Sequence, residues 1–302
     1  MKKLEKELRG KRTVKECDHR QTRSLVQSAG RKKSALILAV SYSSSDNHET
    51  LRNAISDAET LQKTLFDQGW SVETEKNRGL ETKEKIKERI KIFAETHGDD
   101  DVMIAFFGHG VEVNDRNYLV AANSEIGNHP DEAAYEEAVK LECLAFEDVK
   151  GVFKDARDEK GSSAAPPAIV FLLDKCCATG KGFALNSSTI LARNPRIITL
   201  TNSIALFSTS SGNLAYDGNN KGGAFMGIFC EQIVKSCAAG FGVYEVMDST
   251  RKRLRDAWDS CQLPEMRHPN LLDDFFFSAR RKQQVFPPPL SHMAPPIQRA
   301  AS

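Results

Sequence analysis

The chain reads as an α/β protein built on a mostly parallel central sheet with helices on both faces. Two observations lead there. Short apolar runs alternate with longer segments whose apolar residues recur every three or four positions, the pattern of repeated strand–helix–strand units. The runs themselves are continuous in Val, Ile, Leu and Phe, as strands covered on both sides require. A length of 302 residues with 40% hydrophobic and 27% charged content is enough to bury one large core.

Each element follows from its local pattern. Residues 1–33 carry twelve Lys or Arg against Glu5, Glu7, Glu16 and Asp18. They have no aromatic side chains to stack on bases and no regular apolar face, so a solvated basic arm is expected rather than a nucleic-acid or membrane surface. Strands are predicted over 35–41, 70–74, 102–107, 169–173 and 204–208, with a closing edge strand over 271–277. Helices are predicted over 51–68, 81–96, 145–155, 222–237 and 244–258, each with a one-sided apolar stripe. The polar stretches 123–141 and 155–167, and the segment 178–196 that follows the cysteine pair Cys176-Cys177, read as surface loops. Residues 280–302, rich in Pro, read as a loose tail.

Composition excludes several classes of function. The apolar runs at 34–42 and 168–173 fall far short of the ~20 residues of a membrane helix. Seven cysteines without a CxxC pair suggest neither a disulfide framework nor a zinc ribbon. A reducing, cytoplasmic setting is the expectation, with thiols available for chemistry. No zinc ligand set or phosphate loop is apparent, so no metal or other cofactor is assigned.

Reactive groups in open α/β sheets gather at the carboxyl ends of the strands. Two predicted strand ends are chemically loaded. Phe106-Phe107 runs into Gly108-His109-Gly110, and Leu172-Leu173 runs into Asp174-Lys175-Cys176-Cys177. A histidine between two glycines reads as an exposed loop end, and a cysteine after a buried strand is as often a small core residue as a reactive one. Together, on adjacent strands, they would bring an imidazole to a thiol, the pairing that nucleophilic catalysis needs.

Taken in order, several segments resemble the caspase-like cysteine peptidases, and within them the paracaspases and metacaspases more than true caspases. They are Ala35-Leu36-Ile37-Leu38-Ala39-Val40, residues 51–61 with Asp57 inside, Phe106-Phe107-Gly108-His109-Gly110, Phe171-Leu172-Leu173-Asp174-Lys175-Cys176, residues 208–217 ending in Asp217, and residues 222–229. The resemblance spans roughly 34–279. It implies a three-layer α-β-α sandwich with a large-subunit-like part at 34–177, a loop at 178–196 and a small-subunit-like part at 197–279. Cys176 follows His109 by 67 residues, more than the roughly 50 of caspases, and the two predicted insertions accommodate the difference.

The resemblance also implies roles. Cys176 would be the nucleophile, chosen over Cys177 by the family's Asp-x-Cys pattern, His109 the base, and the backbone N–H groups of Gly110 and Cys176 the oxyanion donors. Paracaspases tend to carry Arg and metacaspases His where Cys177 stands. Caspases bind a substrate Asp with Gln and Arg. Asp174 stands in place of that Gln, Asp217 in place of an Arg, and Asp57 matches a third acidic pocket position. Three carboxylates in one concavity call for a cation, and a guanidinium, which can fork between two of them, suits better than an ammonium. The reading is therefore a cysteine endopeptidase whose partners are protein substrates cut after Arg or Lys, and a homodimer is compatible with it. Two alternatives stand beside it: an inactive scaffold of the same fold, and a calcium-activated peptidase with Asp99-Asp100-Asp101 contributing an ion site. An enzyme of this specificity could also cut its own basic segments, Arg31-Lys32-Lys33 and residues 193–196, both expected to be flexible.

Overall fold

The computed structural model describes residues 31–42, 50–114, 116–126, 129, 131–160, 166–176, 200–209, 223–258, 262–272 and 274–278. Within them β1 (Lys33–Ala39) is followed by α1 (Ala54–Asp67), β2 (Ser71–Lys76), α2 (Lys83–His97), β3 (Asp101–Val113) and β4 (Arg116–Leu119). Then come α3 (Glu132–Glu142), β5 (Leu144–Ala145), α4 (Phe146–Lys160), β6 (Ile169–Cys176), β7 (Ser203–Phe207), α5 (Ala224–Ala239), α6 (Val243–Trp258) and β8 (Glu265–Asn270). The sheet runs β2-β1-β3-β6-β7-β8. All neighbours in it are parallel except β7–β8. This is the α/β architecture that the alternating pattern predicts.

Two helical layers enclose the sheet. α1 packs against α5 and α5 against α6 on one side, while α2 packs against α4 on the other. Edge-on aromatic pairs join sheet to helix: the Phe171 ring of β6 meets Phe146 at 5.1 Å and Phe153 at 6.0 Å, both on α4. On the opposite face Phe229 of α5 meets Phe277 at 6.0 Å, and the Trp70 indole N–H donates to the Phe277 carbonyl at 2.6 Å. β1, β3 and β6 lie in the middle of the sheet and are buried along nearly their whole length.

Four expectations are corrected. The stretch predicted as loop at 123–141 contains most of α3. Asp131 caps it by accepting the Ala134 N–H at 2.8 Å, and its charged residues had masked the period of Ala134, Ala138 and Val139. The closing strand is Glu265–Asn270, displaced from 271–277. An edge strand needs no continuous apolar run, and Phe275 and Phe277 serve instead as buried plugs. Histidine 109 is not in a loop. β3 continues through it and leaves the main sheet to pair antiparallel with β4. Finally, Arg31 and Lys33 are anchored. Lys33 opens β1, its ammonium 3.4 Å from Asp101 and over the Phe275 ring at 4.4 Å, and Arg31 lies 3.6 Å from the same carboxylate. Burial holds the Lys33 pKa below its ordinary value, with Asp101 opposing. A bond inside this anchored segment is a poor peptidase substrate, because cleavage needs several residues in extended, accessible form. Residues 193–196, Cys177 and Asp217, the bulk of the basic arm and the Pro-rich tail lie outside the described residues.

One carboxyl is held against its preference. Asp274 lies against Gly242 and near Glu245 at the start of α6, and its pKa is pushed up to about 6, first by burial and then by the charge of Glu245. A carboxyl that holds its proton more tightly when folded stabilises the fold fully below its unfolded pKa of about 4. That contribution is lost as pH rises through about 6. Asp274→Asn is therefore expected to raise stability at about pH 8 by about 1 kcal/mol after solvent screening, and by less at about pH 5. Thermal melts at both pH values check this, and an equal gain at both would trace the effect to something other than ionisation.

Candidate active site

The connection from β1 leads to β2 on one side and that from β3 to β6 on the other, so the crevice between the carboxyl ends of β1 and β3 is the sheet's switch point, where α/β proteins bind ligands. Tyr42 follows β1 there, beside His109 of β3. One strand further, β6 is in register with β3 through Phe107–Asp174, Gly108–Lys175 and His109–Cys176. The two positions singled out in the sequence, 109 and 176, are thus backbone partners on neighbouring strands.

His109 is 2% exposed. Its ring lies against Tyr42, centroids 4.4 Å apart at 38°. Its carbonyl accepts the Val120 N–H at 3.1 Å, and its own N–H donates to the Tyr42 hydroxyl at 2.9 Å, which in turn donates to the Val120 carbonyl at 2.7 Å. Since His109–Val120 is a bonded pair of the antiparallel ladder, the next pair, Gly110–Leu119, is of the non-bonded kind, and the Gly110 N–H turns away from β4. Gly108 has a steric reason to be glycine. A Cβ there would lie 2.7 Å from the Phe106 ring and 3.2 Å from the Tyr42 hydroxyl.

Asp174 is half-buried. Phe171 points to α4, so by strand alternation Asp174 faces the α1–α5 layer, as does its in-register partner Phe107. Asp57 belongs to that layer. It is 5% exposed and accepts the Gly223 N–H with both carboxylate oxygens, at 2.9 and 3.0 Å. Gly223 caps α5, so the positive end of that helix dipole faces the carboxylate. A Cβ on Gly223 would stand 2.6 Å from Asp57 Oδ2. At the end of β7, adjoining Asp174, Ser208 donates its backbone N–H to the Leu173 carbonyl at 3.1 Å. The hydroxyls of Ser208 and of Thr209 beside it are buried without a hydrogen-bond partner among the described residues. Tyr42 had no signal in the sequence beyond following a strand, while Ser208 and Gly223 lie in segments that carry the resemblance without being singled out as site residues.

Among the described residues, the other thiols do not compete. Burial pushes Cys143 and Cys230 up to about 12, which leaves both protonated and weakly nucleophilic near neutrality. Cys237 sits in the last turns of α5, near Lys33 at the start of β1, the opposite end of the sheet from His109. The run 99–101 is not gathered as an ion site. Asp100 takes the Ser34 hydroxyl at 2.7 Å and lies 3.0 Å from His97, while Asp101 is engaged by Lys33, Arg31 and the Ala168 N–H. Among the described residues no group of three or more His, Cys, Asp or Glu is disposed to hold a metal, and no helix is long and apolar enough to cross a membrane.

Comparison with known proteins agrees with this fold. The caspase-domain family model matches residues 32–276. Among solved structures, the crystal structure of caspase-1 from Spodoptera frugiperda is similar, with a TM-score of 0.58 and 18% identity over 83% of this chain and 92% of that one. At that identity the likeness is one of fold. A search of curated proteins found no match. With a family match over most of its length and the same sheet and helical layers, the chain belongs to the caspase-like cysteine peptidases.

Proposed function

We propose that the chain is a cysteine endopeptidase of the paracaspase or metacaspase type, cleaving polypeptides after a basic residue, Arg in preference to Lys, with Cys176 as nucleophile and His109 as general base and acid. The observation that carries the reading is the in-register pairing of His109 with Cys176 at the carboxyl ends of adjacent strands. Deprotonated with the help of His109, the Cys176 sulfur attacks the carbonyl carbon after the basic residue. The oxyanion that forms is met by the backbone N–H groups of Cys176 and Gly110, the latter left unused by the β4 ladder. His109 returns the proton to the departing amine, and water then releases the acyl group by the same route. The first pocket takes its negative charge from Asp174, Asp57 and Asp217. Asp57 is held by the Gly223 N–H, and the buried hydroxyls of Ser208 and Thr209 add neutral acceptors beside Asp174, a lining suited to a guanidinium.

Fluorogenic peptides that differ only in Arg, Lys or Asp at the cleaved position test this. Arg peptides are expected to turn over fastest, Lys peptides more slowly and Asp peptides not at all. A preference for Asp would overturn the specificity, and no turnover of any peptide would favour the scaffold reading. Activity seen only with added calcium would belong to the calcium-activated reading.

A further inference from the structure

We propose that Tyr42 is the positioning residue for His109, its hydroxyl wedged into the start of the β3–β4 ladder and its ring laid against the imidazole. The inference rests on the reading of His109 as general base.

β3 changes partner at His109. Among the described residues its parallel pairing with β6 runs to His109–Cys176, and its antiparallel pairing with β4 begins at Gly110–Leu119. In an ordinary ladder His109 and Val120 would exchange two direct backbone bonds. Only one is direct here, from the Val120 N–H to the His109 carbonyl at 3.1 Å. The return bond is carried by the Tyr42 hydroxyl, which accepts from the His109 N–H at 2.9 Å and donates to the Val120 carbonyl at 2.7 Å. One hydroxyl has one proton to give, so both of its bonds have defined directions. The inserted oxygen takes over the return bond at the residue whose side chain has to be aimed, and the phenol ring closes off one side of the imidazole.

Tyr42 is itself over-determined. It is 4% exposed and has φ of 55°, a left-handed backbone that a bulky aromatic residue adopts only when its surroundings enforce it. The residue before it is pinned. The Ser41 N–H donates to Asn77 Oδ1 at 2.9 Å, and the Ser41 carbonyl accepts the Leu51 N–H at 2.8 Å. The absence of a side chain at Gly108 leaves room for the hydroxyl. Anchor, strained backbone, vacated space and bridging hydroxyl all serve one contact, that with His109.

The test separates aiming of the imidazole from general damage by changing the leaving group. An amide needs a proton delivered as its amine departs, whereas a p-nitrophenyl ester does not. With Tyr42→Phe, kcat per titrated active site on an Arg amide is expected to fall about five- to tenfold with KM unchanged, and on the matching ester by less than about twofold. Asn77→Gly, which keeps the left-handed backbone at 77 but releases Ser41, is expected to show the same amide-selective loss in smaller measure. It serves in place of Tyr42→Phe should that variant fold poorly. Equal losses on both substrates, or none on the amide, would overturn the proposal. His109→Ala is the control. If it retains amide turnover, the general-base reading has failed; if it is inactive while Tyr42→Phe is normal, the failure lies with Tyr42 alone.

Discussion

Cys176→Ala is expected to abolish peptide cleavage, a fall of about four orders of magnitude or more in kcat, by analogy with the loss of a nucleophile in other acyl-transfer enzymes. Cys177→Ala should retain a substantial fraction. Position 176 is the in-register backbone partner of His109, so the sheet itself sets these two positions side by side. His109→Ala should lower turnover comparably, and the structure adds a cost. The buried ring packs on Tyr42, so its removal leaves a void of the sort that destabilises by about 1–3 kcal/mol. Active-site titration with a thiol alkylator, alongside thermal melts, distinguishes lost chemistry from lost fold. Equal inactivation by the two cysteine substitutions would show that the register does not select the nucleophile.

Charge removal in the first pocket is expected to act on one class of substrate only. On the proposed specificity, Asp174→Asn and Asp217→Asn would each remove one charged partner of a substrate guanidinium, worth roughly 1.5–3 kcal/mol when charge-assisted. For Arg peptides kcat/KM should then fall about ten- to a hundredfold, while peptides with a neutral residue at that position are nearly unaffected. Alkylation of Cys176 by a small neutral reagent should keep its wild-type rate. Asp57 is a poorer probe, because its carboxylate also secures the start of α5 through the Gly223 N–H, so its loss mixes specificity with stability. A variant at 174 that cleaves Arg peptides normally would remove Asp174 from the pocket. Parallel losses on charged and neutral substrates would point to a displaced thiol.

Much of the fold is legible in the sequence because burial on both faces demands continuous apolar strands. The runs around 36–39, 103–107, 169–173 and 204–207 carry that signature whatever surrounds them. The elements it missed have weak local signals. β4 is a short, mostly polar hairpin partner, α3 hides its stripe among carboxylates, and β8 is an edge strand containing Arg267, His268 and Pro269. Phe275 and Phe277 read as part of a strand because hydrophobicity alone does not tell a paired backbone from side chains plugged into a core.

The candidate site divides in the same way. Sequence alone determined which groups stand at the strand ends, His109 after Phe107 and Asp174 and Cys176 after Leu173, because these identities are local and follow directly on apolar runs. Only the tertiary structure decided what each group touches. The Tyr42 hydroxyl meets the His109 N–H across 67 residues, Lys33 meets Asp101 across 68, and Asp57 meets the Gly223 N–H across 166. Most buried polar atoms find a partner once water is gone, but sheet order and helix packing choose that partner, and no periodicity along the chain records the choice. That is why a histidine flanked by glycines, which locally looks like the tip of a loop, lies buried inside a strand with a tyrosine holding it.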